Sequence, residues 1–333
     1  MPSVLVLFGP TASGKTELLE QLFTGPNPLC RAEVVSADSM QVYRGMDIGT
    51  AKPSADLRKR LPHHLIDIRN PDEQFNAGDF VRLADEACTD IAHRGALPVV
   101  SGGTGFYLRN FVLGLPETPP SDPRIRDGVQ ADLRSRGAAS LMEELALCDP
   151  VSAARIHPND TYRLARALEV FRSEGRPLSS YVSNGAARTR YRFLIIGLRR
   201  NRAEVYRRIN ERCALMFRRG LPEEVAHLHA AGYGPGDPGM KAIGYQEFFV
   251  GESTGGEPNV PWRISGDMEG VEALVARNSR RYAKRQITFF ASIPQVRWIS
   301  VDGDPLGEIR REVETALLCP GNSKFNHERH EKN

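Results

Sequence analysis

"GPTASGKT" occupies residues 9–16, directly after the apolar run "VLVLF" at 4–8. The eight residues match G-x-x-x-x-G-K-T throughout, a loop whose glycines let consecutive backbone N–H groups turn toward anionic oxygens. Lys15 adds a point charge, and the Thr16 hydroxyl is the candidate ligand for Mg²⁺. After the loop, "TELLEQLF" sets Leu18, Leu19, Leu22 and Phe23 on one helical stripe. The unit therefore reads strand, phosphate loop, helix, with the positive end of the helix dipole at the same oxygens. Gly9, Pro10, Thr11, Ala12, Ser13, Gly14, Lys15 and Thr16 form the candidate phosphate-binding set. Nothing in the loop reads a base, so it does not by itself specify ATP.

Further short apolar runs follow: "AEVVSAD" at 32–38, "HHLIDI" at 63–68, "ALPVVSGGTG" at 96–105 and "RYRFLIIGL" at 190–198. Strands of this kind separated by helical segments predict a parallel sheet covered by helices on both faces. Ligands of such sheets lie beyond the carboxyl ends of the strands, which places the phosphate loop, Asp38 and "GGTG" on one rim. The expected fold is α/β, a P-loop NTPase-like parallel sheet flanked by helices. After the Pro-rich "PETPPSDP" the chain is helical by pattern until about Gly175, then returns to strand. This predicts a helical insertion at 118–187 on a core formed by 1–117 and 188–318, with a polar, disordered tail at 319–333. A long helix is expected from Arg202, burying Val205, Ile209, Cys213 and Met216. The Gly/Pro/Ser-rich stretch at 251–266 reads as a surface loop.

Apolar content of 41% with 26% charged residues fits a soluble globular chain. The N-terminal apolar run is too short for a signal peptide or membrane span, so a cytoplasmic protein with no membrane partner is expected. Five scattered cysteines without a C-x-x-C pair argue against a zinc ribbon or a disulfide framework. The net charge of +3 hides an uneven layout: 188–219 holds eleven arginines against two acids, and "RNSRRYAKR" at 277–285 holds five cations and no acid. Two basic blocks on a nearly neutral chain point to a polyanionic partner, whereas taken singly each also fits a solvated helix face.

Three features carry the chemistry. Asp38 ends the second strand, where an acid either holds Mg²⁺ or acts as a general base toward an incoming nucleophile. Its neighbours Ser39 and Gln41 are short polar residues able to meet a heterocycle edge. Thr104, between glycines, is either part of a structural turn or a hydroxyl brought close to substrate. Arg208 and Arg212, four apart on the long helix, share a face and could clamp a diphosphate or be solvated surface charge. The acid pair of ATP-hydrolysing motors is missing, which disfavours that class.

"GPTASGKT", "DSMQVYRGMDIGTAKP", "PHHLID", "GGTGFYLR", "HPNDTYRLARALEV", "MKAIGYQE" and "YAKRQITFF" appear in order. Together they closely resemble the bacterial tRNA isopentenyltransferase family over about residues 3 to 300. The resemblance implies transfer of a dimethylallyl group from dimethylallyl diphosphate to N6 of adenosine 37, beside the anticodon of tRNA, with Mg²⁺ as cofactor. It implies that Asp38 accepts the N6 proton, that Thr104 positions the amine, and that Lys15 and Arg212 hold the diphosphate. It also implies tRNA contacts at Asp38, Ser39, Met40, Gln41, Thr104, Arg126, Tyr162, Arg163, Leu164, Ala165, Arg166, Lys241, Gly244 and Tyr245, and an insertion that grips the anticodon stem-loop. A monomer is expected. The chain departs from the family at Phe289, where Trp is common, and in a longer stretch near 251–266; the zinc finger of eukaryotic relatives is absent. The alternatives are a P-loop kinase for a small metabolite and an RNA-binding module without turnover.

Overall fold

The computed structural model describes residues 1–115, 118–119, 122–181, 186–251 and 263–318. The expected tail and most of the 251–266 loop lie outside them. Strands β1 (Ser3–Phe8), β2 (Ala32–Ser36), β3 (His63–His64), β4 (Leu97–Gly102) and β5 (Arg192–Arg199) follow the apolar runs. A short antiparallel pair, β6 (Phe249–Val250) and β7 (Arg263–Ile264), precedes a last strand, β8 (Arg297–Ser300). The main sheet has the order β3-β2-β4-β1-β5-β8, and every pairing in it is parallel. Such a sheet needs both faces covered, which is why Val4 to Phe8 are all apolar and buried.

Two strands differ from the sequence reading. β3 stops at His64 because Leu65 and Asp67 adopt φ of 62° and 57°. The N–H groups of Asp67 and Ile68 then turn to the carbonyls of Gln41 and Val42, at 3.2 and 2.8 Å, so the chain ties down the loop after Asp38. β8 carries no clear alternation and was not anticipated. It forms the sheet edge, and Trp298 packs edge-on to Phe8 at 5.7 Å, over Gly197, where any side chain would collide with it.

Helices α1 (Lys15–Thr24), α2 (Ala55–Arg60), α3 (Ala77–His93) and α4 (Gly105–Leu113) belong to the first half of the chain. Leu18, Leu19, Leu22 and Phe23 of α1 bury against Leu5 and Leu7, as the stripe predicts. α3 is fixed at its start by a capping box between Asn76 and Asp79 and buries Phe80 against Tyr107 of α4. The chain divides into two compact units, Met1–Val112 with the segment from Ala187 onward, and Leu113–Ala186. The second unit holds α5 (Pro123–Cys148), broken at Gly137 where φ is 79°, α6 (Pro150–Arg155) and α7 (Thr161–Glu174). Its own core joins Val129, Leu141 and Leu145 to Leu164, Ala165 and Leu168. Arg172 pairs with Asp132 and Glu144 at 2.7 and 2.6 Å.

Back in the first unit, α8 (Arg202–Arg218) buries Val205, Ile209, Cys213 and Met216 and is followed by α9 (Leu221–Ala230), α10 (Met268–Phe290) and α11 (Pro305–Val313). α10 sets Phe290 against Phe8 at 4.7 Å. The outcome is the expected P-loop NTPase-like α/β core, with the phosphate loop after the central strand. Among the described residues no helix is long and apolar enough to cross a membrane.

Candidate active site

The loop between β1 and α1 curls because Ala12 and Gly14 take φ of 62° and 96°. Gly9 leaves no room for a side chain: a Cβ there would lie 2.8 Å from Ser13 Oγ and 3.0 Å from Leu198 Cβ. The Lys15 ammonium folds over the loop, donating to the Gly9 and Pro10 carbonyls at 2.8 and 3.0 Å. Burial lowers its pKa to about 8, helped by the Arg212 charge and opposed by Asp38. Arg208 Nε donates to the Ala12 carbonyl at 3.1 Å, and an Arg212 nitrogen stands 3.5 Å from Thr11 Oγ1. The shared helix face inferred for this pair thus points at the phosphate loop. Burial also lowers the Arg212 pKa.

Across the rim, the turn after β4 packs directly on the end of β2. A Cβ on Gly102 would lie 2.1 Å from the Ala37 carbonyl, which accepts from Thr104 N–H at 3.1 Å. The Thr104 hydroxyl accepts from Ser39 N–H at 2.9 Å and donates to Ser39 Oγ at 3.2 Å. Asp38 Oδ1 accepts from Met40 N–H at 2.9 Å. The turn that carries Thr104 is therefore bonded to the segment that carries Asp38. Lys15, Thr16, Asp38 and Arg212 line a common cavity of about 110 Å³. A larger hollow of about 600 Å³ also touches Thr16 and Arg212 and carries Arg58 and Arg219 in its lining.

Two residues of the cavity wall, Tyr282 and Gln286 on α10, were missed by sequence reasoning. Gln286 is 4% exposed. Its Oε1 accepts from Thr11 N–H at 2.9 Å, and its Nε2 donates to the Gly103 carbonyl at 2.7 Å. Tyr282 lies near Thr104 and Gln286, and burial and the nearby Asp38 charge push its pKa up to about 12. The only sequence signal was "YAKRQ", a pair of polar residues four apart on an otherwise basic helix.

The residues expected to contact tRNA differ in exposure and in what they bond. Leu164 and Ala165 are 0% and 2% exposed, because α7 needs them for the core of its own unit. Tyr245 is 0% exposed; its ring lies against Gly49 and its hydroxyl donates to Glu224 at 2.6 Å. That same carboxylate accepts from the N–H groups of Asp47, Ile48 and Gly49 at 2.9, 2.8 and 3.2 Å. Gln41 spends its amide internally, accepting from Ser36 Oγ at 3.0 Å and facing the Thr50 and Ala51 carbonyls at 3.3 and 3.4 Å. Arg166 is turned to Glu169 and to the Pro119 carbonyl, at 3.3 and 2.7 Å. Gly244, with φ of 98°, donates to Glu247 at 2.8 Å. Ser39 and Met40 are half-buried beside Asp38, while Arg126, Tyr162, Arg163 and Lys241 are exposed.

The two basic blocks also separate. In the first, Arg188 is locked to Asp85 by bonds of 2.8 and 2.9 Å and Arg207 pairs with Glu204 and Glu211, so much of its charge is structural or neutralised. In the second, Arg277, Arg281, Lys284 and Arg285 are exposed without a carboxylate partner among the described residues.

Among the described residues no cluster of three or more His, Cys, Asp or Glu could hold a metal ion. The donors present suit Mg²⁺ in another way. Thr16 and Asp38 offer hard oxygens into the cavity, and Mg²⁺ commonly completes its shell with water and substrate phosphates.

Comparison with known proteins agrees with this geometry. Residues 41–293 match the family model described as IPP transferase. A tRNA dimethylallyltransferase of Geobacter sulfurreducens is 45% identical over 89% of this chain and 91% of its own. One from Desulforudis audaxviator is 42% identical over 94% and 97%. The crystal structure of the tRNA isopentenylpyrophosphate transferase of Bacillus halodurans superposes with a TM-score of 0.64, at 35% identity over 96% of this chain and 97% of that one.

Proposed function

The chain belongs to the IPP transferase family, and from that premise we propose that it moves a dimethylallyl group from dimethylallyl diphosphate onto N6 of adenosine 37 in tRNA. That it is a prenyltransferase acting on tRNA follows from its relatives; the donor, the acceptor base and the steps below are our reading. The observation that carries it is the common cavity, whose lining joins Lys15, Thr16 and Arg212 to Asp38.

The allylic C–O bond breaks, its electron pair leaves with the diphosphate, and the N6 lone pair forms the new C–N bond. An adenine amine is a weak nucleophile, so the leaving group must be well stabilised and the amine proton removed. Lys15, Arg212 and the loop N–H groups supply the first requirement, holding negative charge as it develops. Asp38 supplies the second, accepting the N6 proton, while the Thr104 hydroxyl orients the amine. When bound, Mg²⁺ would be held by Thr16 with diphosphate oxygens and would add positive charge there. Reaching the base requires its extrusion from the anticodon loop, a step of a few kcal/mol. The exposed cations of α10, with Arg126, Tyr162 and Arg163 of the helical unit, are suited to phosphate and base contacts on the anticodon stem-loop. All the catalytic groups come from one chain, which fits action as a monomer, and a tRNA substrate fits a cytoplasmic location.

The test is incubation with Mg²⁺, unmodified tRNA and radiolabelled dimethylallyl diphosphate, with ATP omitted. Label in tRNA, mapped to N6 of adenosine 37 by nucleoside analysis, is the expected result. No label in tRNA, together with ATP-dependent phosphorylation of a metabolite, would establish the kinase instead; binding of tRNA without turnover of any donor would leave an RNA-binding module.

A further inference from the structure

The proposed reaction brings together two groups held by different loops. The leaving diphosphate belongs to the phosphate loop after β1, and the amine belongs to the Thr104 turn after β4. β1 and β4 pair in register as far as Phe8 and Gly102, and beyond that pair each strand runs into its own loop. One side chain spans the two loops. Gln286 Oε1 accepts from Thr11 N–H in the first loop, and Gln286 Nε2 donates to the Gly103 carbonyl in the second, at 2.9 and 2.7 Å.

The orientation of this amide is determined by its partners. A backbone N–H can only donate and a carbonyl can only accept, so the oxygen faces Thr11 and the nitrogen faces Gly103. The fit is close: a Cβ on Gly103 would lie 2.5 Å from Gln286 Nε2. The side chain is anchored from below, since Phe289 on the next turn packs on Gly105 and Phe290 packs on Phe8. One turn above, Tyr282 lines the same cavity as Gln286.

We propose that Gln286 is a positioning residue, a strut across the two loops that sets the distance between the departing diphosphate and the incoming amine. This rests on the transfer reaction proposed above. Gln286 touches neither reacting atom; it fixes where the loops that hold them stand. Misplacement of reacting groups by about 1 Å costs on the order of 100-fold in rate, because the reaction requires near-attack alignment. Substrate binding, which is spread over many contacts, is much less sensitive.

The experiment measures kcat and both KM values for wild type, Gln286→Leu, Gln286→Glu and Tyr282→Phe, using labelled donor and tRNA. Gln286→Leu keeps the volume and removes both bonds. It should lower kcat about 100-fold while each KM stays within about threefold. Gln286→Glu can still accept from Thr11 but can donate to Gly103 only when protonated. Its kcat relative to wild type should therefore rise between about pH 8 and pH 6, a readout that simple loss of packing does not move. Tyr282→Phe retains the strut and should fall less than Gln286→Leu. If Gln286→Leu unfolds, Gln286→Glu carries the test. Wild-type kcat in either folded Gln286 variant, a loss confined to KM, or a flat pH ratio for Gln286→Glu would overturn the proposal. Failure of the wild type itself to label tRNA would instead refute the reaction on which it rests.

Discussion

Asp38 and Lys15 line one cavity, and the roles proposed for them are separable by measurement. Replacement of Asp38 by Asn should lower kcat about 100- to 10,000-fold, as expected for loss of a general base. Its tRNA affinity should hold, because one acid contributes little to a large basic interface; near-normal kcat would exclude the assignment. Lys15 makes a different prediction. Burial holds its pKa at about 8, below the ordinary lysine value of 10.5, so above about pH 8 its neutral form prevails. A bound diphosphate favours the charged form and raises that pKa. Donor binding should then take up a proton at about pH 9, and at about pH 6.5 should take up none or release some as the diphosphate itself ionises, read by calorimetry in buffers of different ionisation enthalpy. Equal uptake at the two pH values would show that Lys15 does not meet the diphosphate.

Elements of this fold meet through positions that lack atoms, and those positions mark where substitution is costly. At Gly102 a Cβ would strike the backbone of Ala37, which cannot yield as a flexible side chain would. Gly102→Ala should cost about 1–3 kcal/mol or more, lowering Tm and turnover together, since β2 and the Thr104 turn must separate. Gly49 faces the Tyr245 ring in the same way, at 2.5 Å for a hypothetical Cβ, but there a side chain is in contact rather than backbone. The hydroxyl of Tyr245 and three backbone N–H groups converge on the Glu224 carboxylate. Glu224→Gln keeps an acceptor but brings two N–H donors toward groups that already donate, so the 47–49 segment should lose hydrogen-exchange protection.

Legibility follows from the same geometry. The phosphate loop was readable because eight consecutive residues make one physical object, and α1 because its stripe follows a single period. Gln286 was not, because its partners are 275 and 183 residues away and no local pattern records such a pairing. Motif membership also failed to separate surface from core. "DTYRLARALEV" is one helix whose period turns Tyr162 and Arg163 outward and Leu164 and Ala165 inward. In "MKAIGYQE", Tyr245 is turned inward, its ring against Gly49 of "DIGTAKP" and its hydroxyl on Glu224.

Charge is organised at the scale of the whole chain, and its count misleads. The 188–219 block has more arginines, yet Arg188, Arg207 and Arg208 are bound to acids or to the phosphate loop. The α10 block has fewer cations, and four of them are exposed. Changing Arg281, Lys284 and Arg285 together to Gln should flatten the salt dependence of tRNA binding by about two to three units of slope, if each meets one phosphate. Arg188→Gln should instead lower Tm and leave the slope as it was. An unchanged slope in the triple variant would move the RNA interface away from α10.

The two carbonyls that receive the Lys15 ammonium also bear on how a catalytic cycle ends. A product carrying several negative charges, held by a recessed cation, would leave slowly if its departure stranded that cation. Here Gly9 and Pro10 stand 2.8 and 3.0 Å from the same nitrogen. On the proposed reaction, release would be an exchange of partners within one loop, and the grip needed for bond breaking need not become product inhibition.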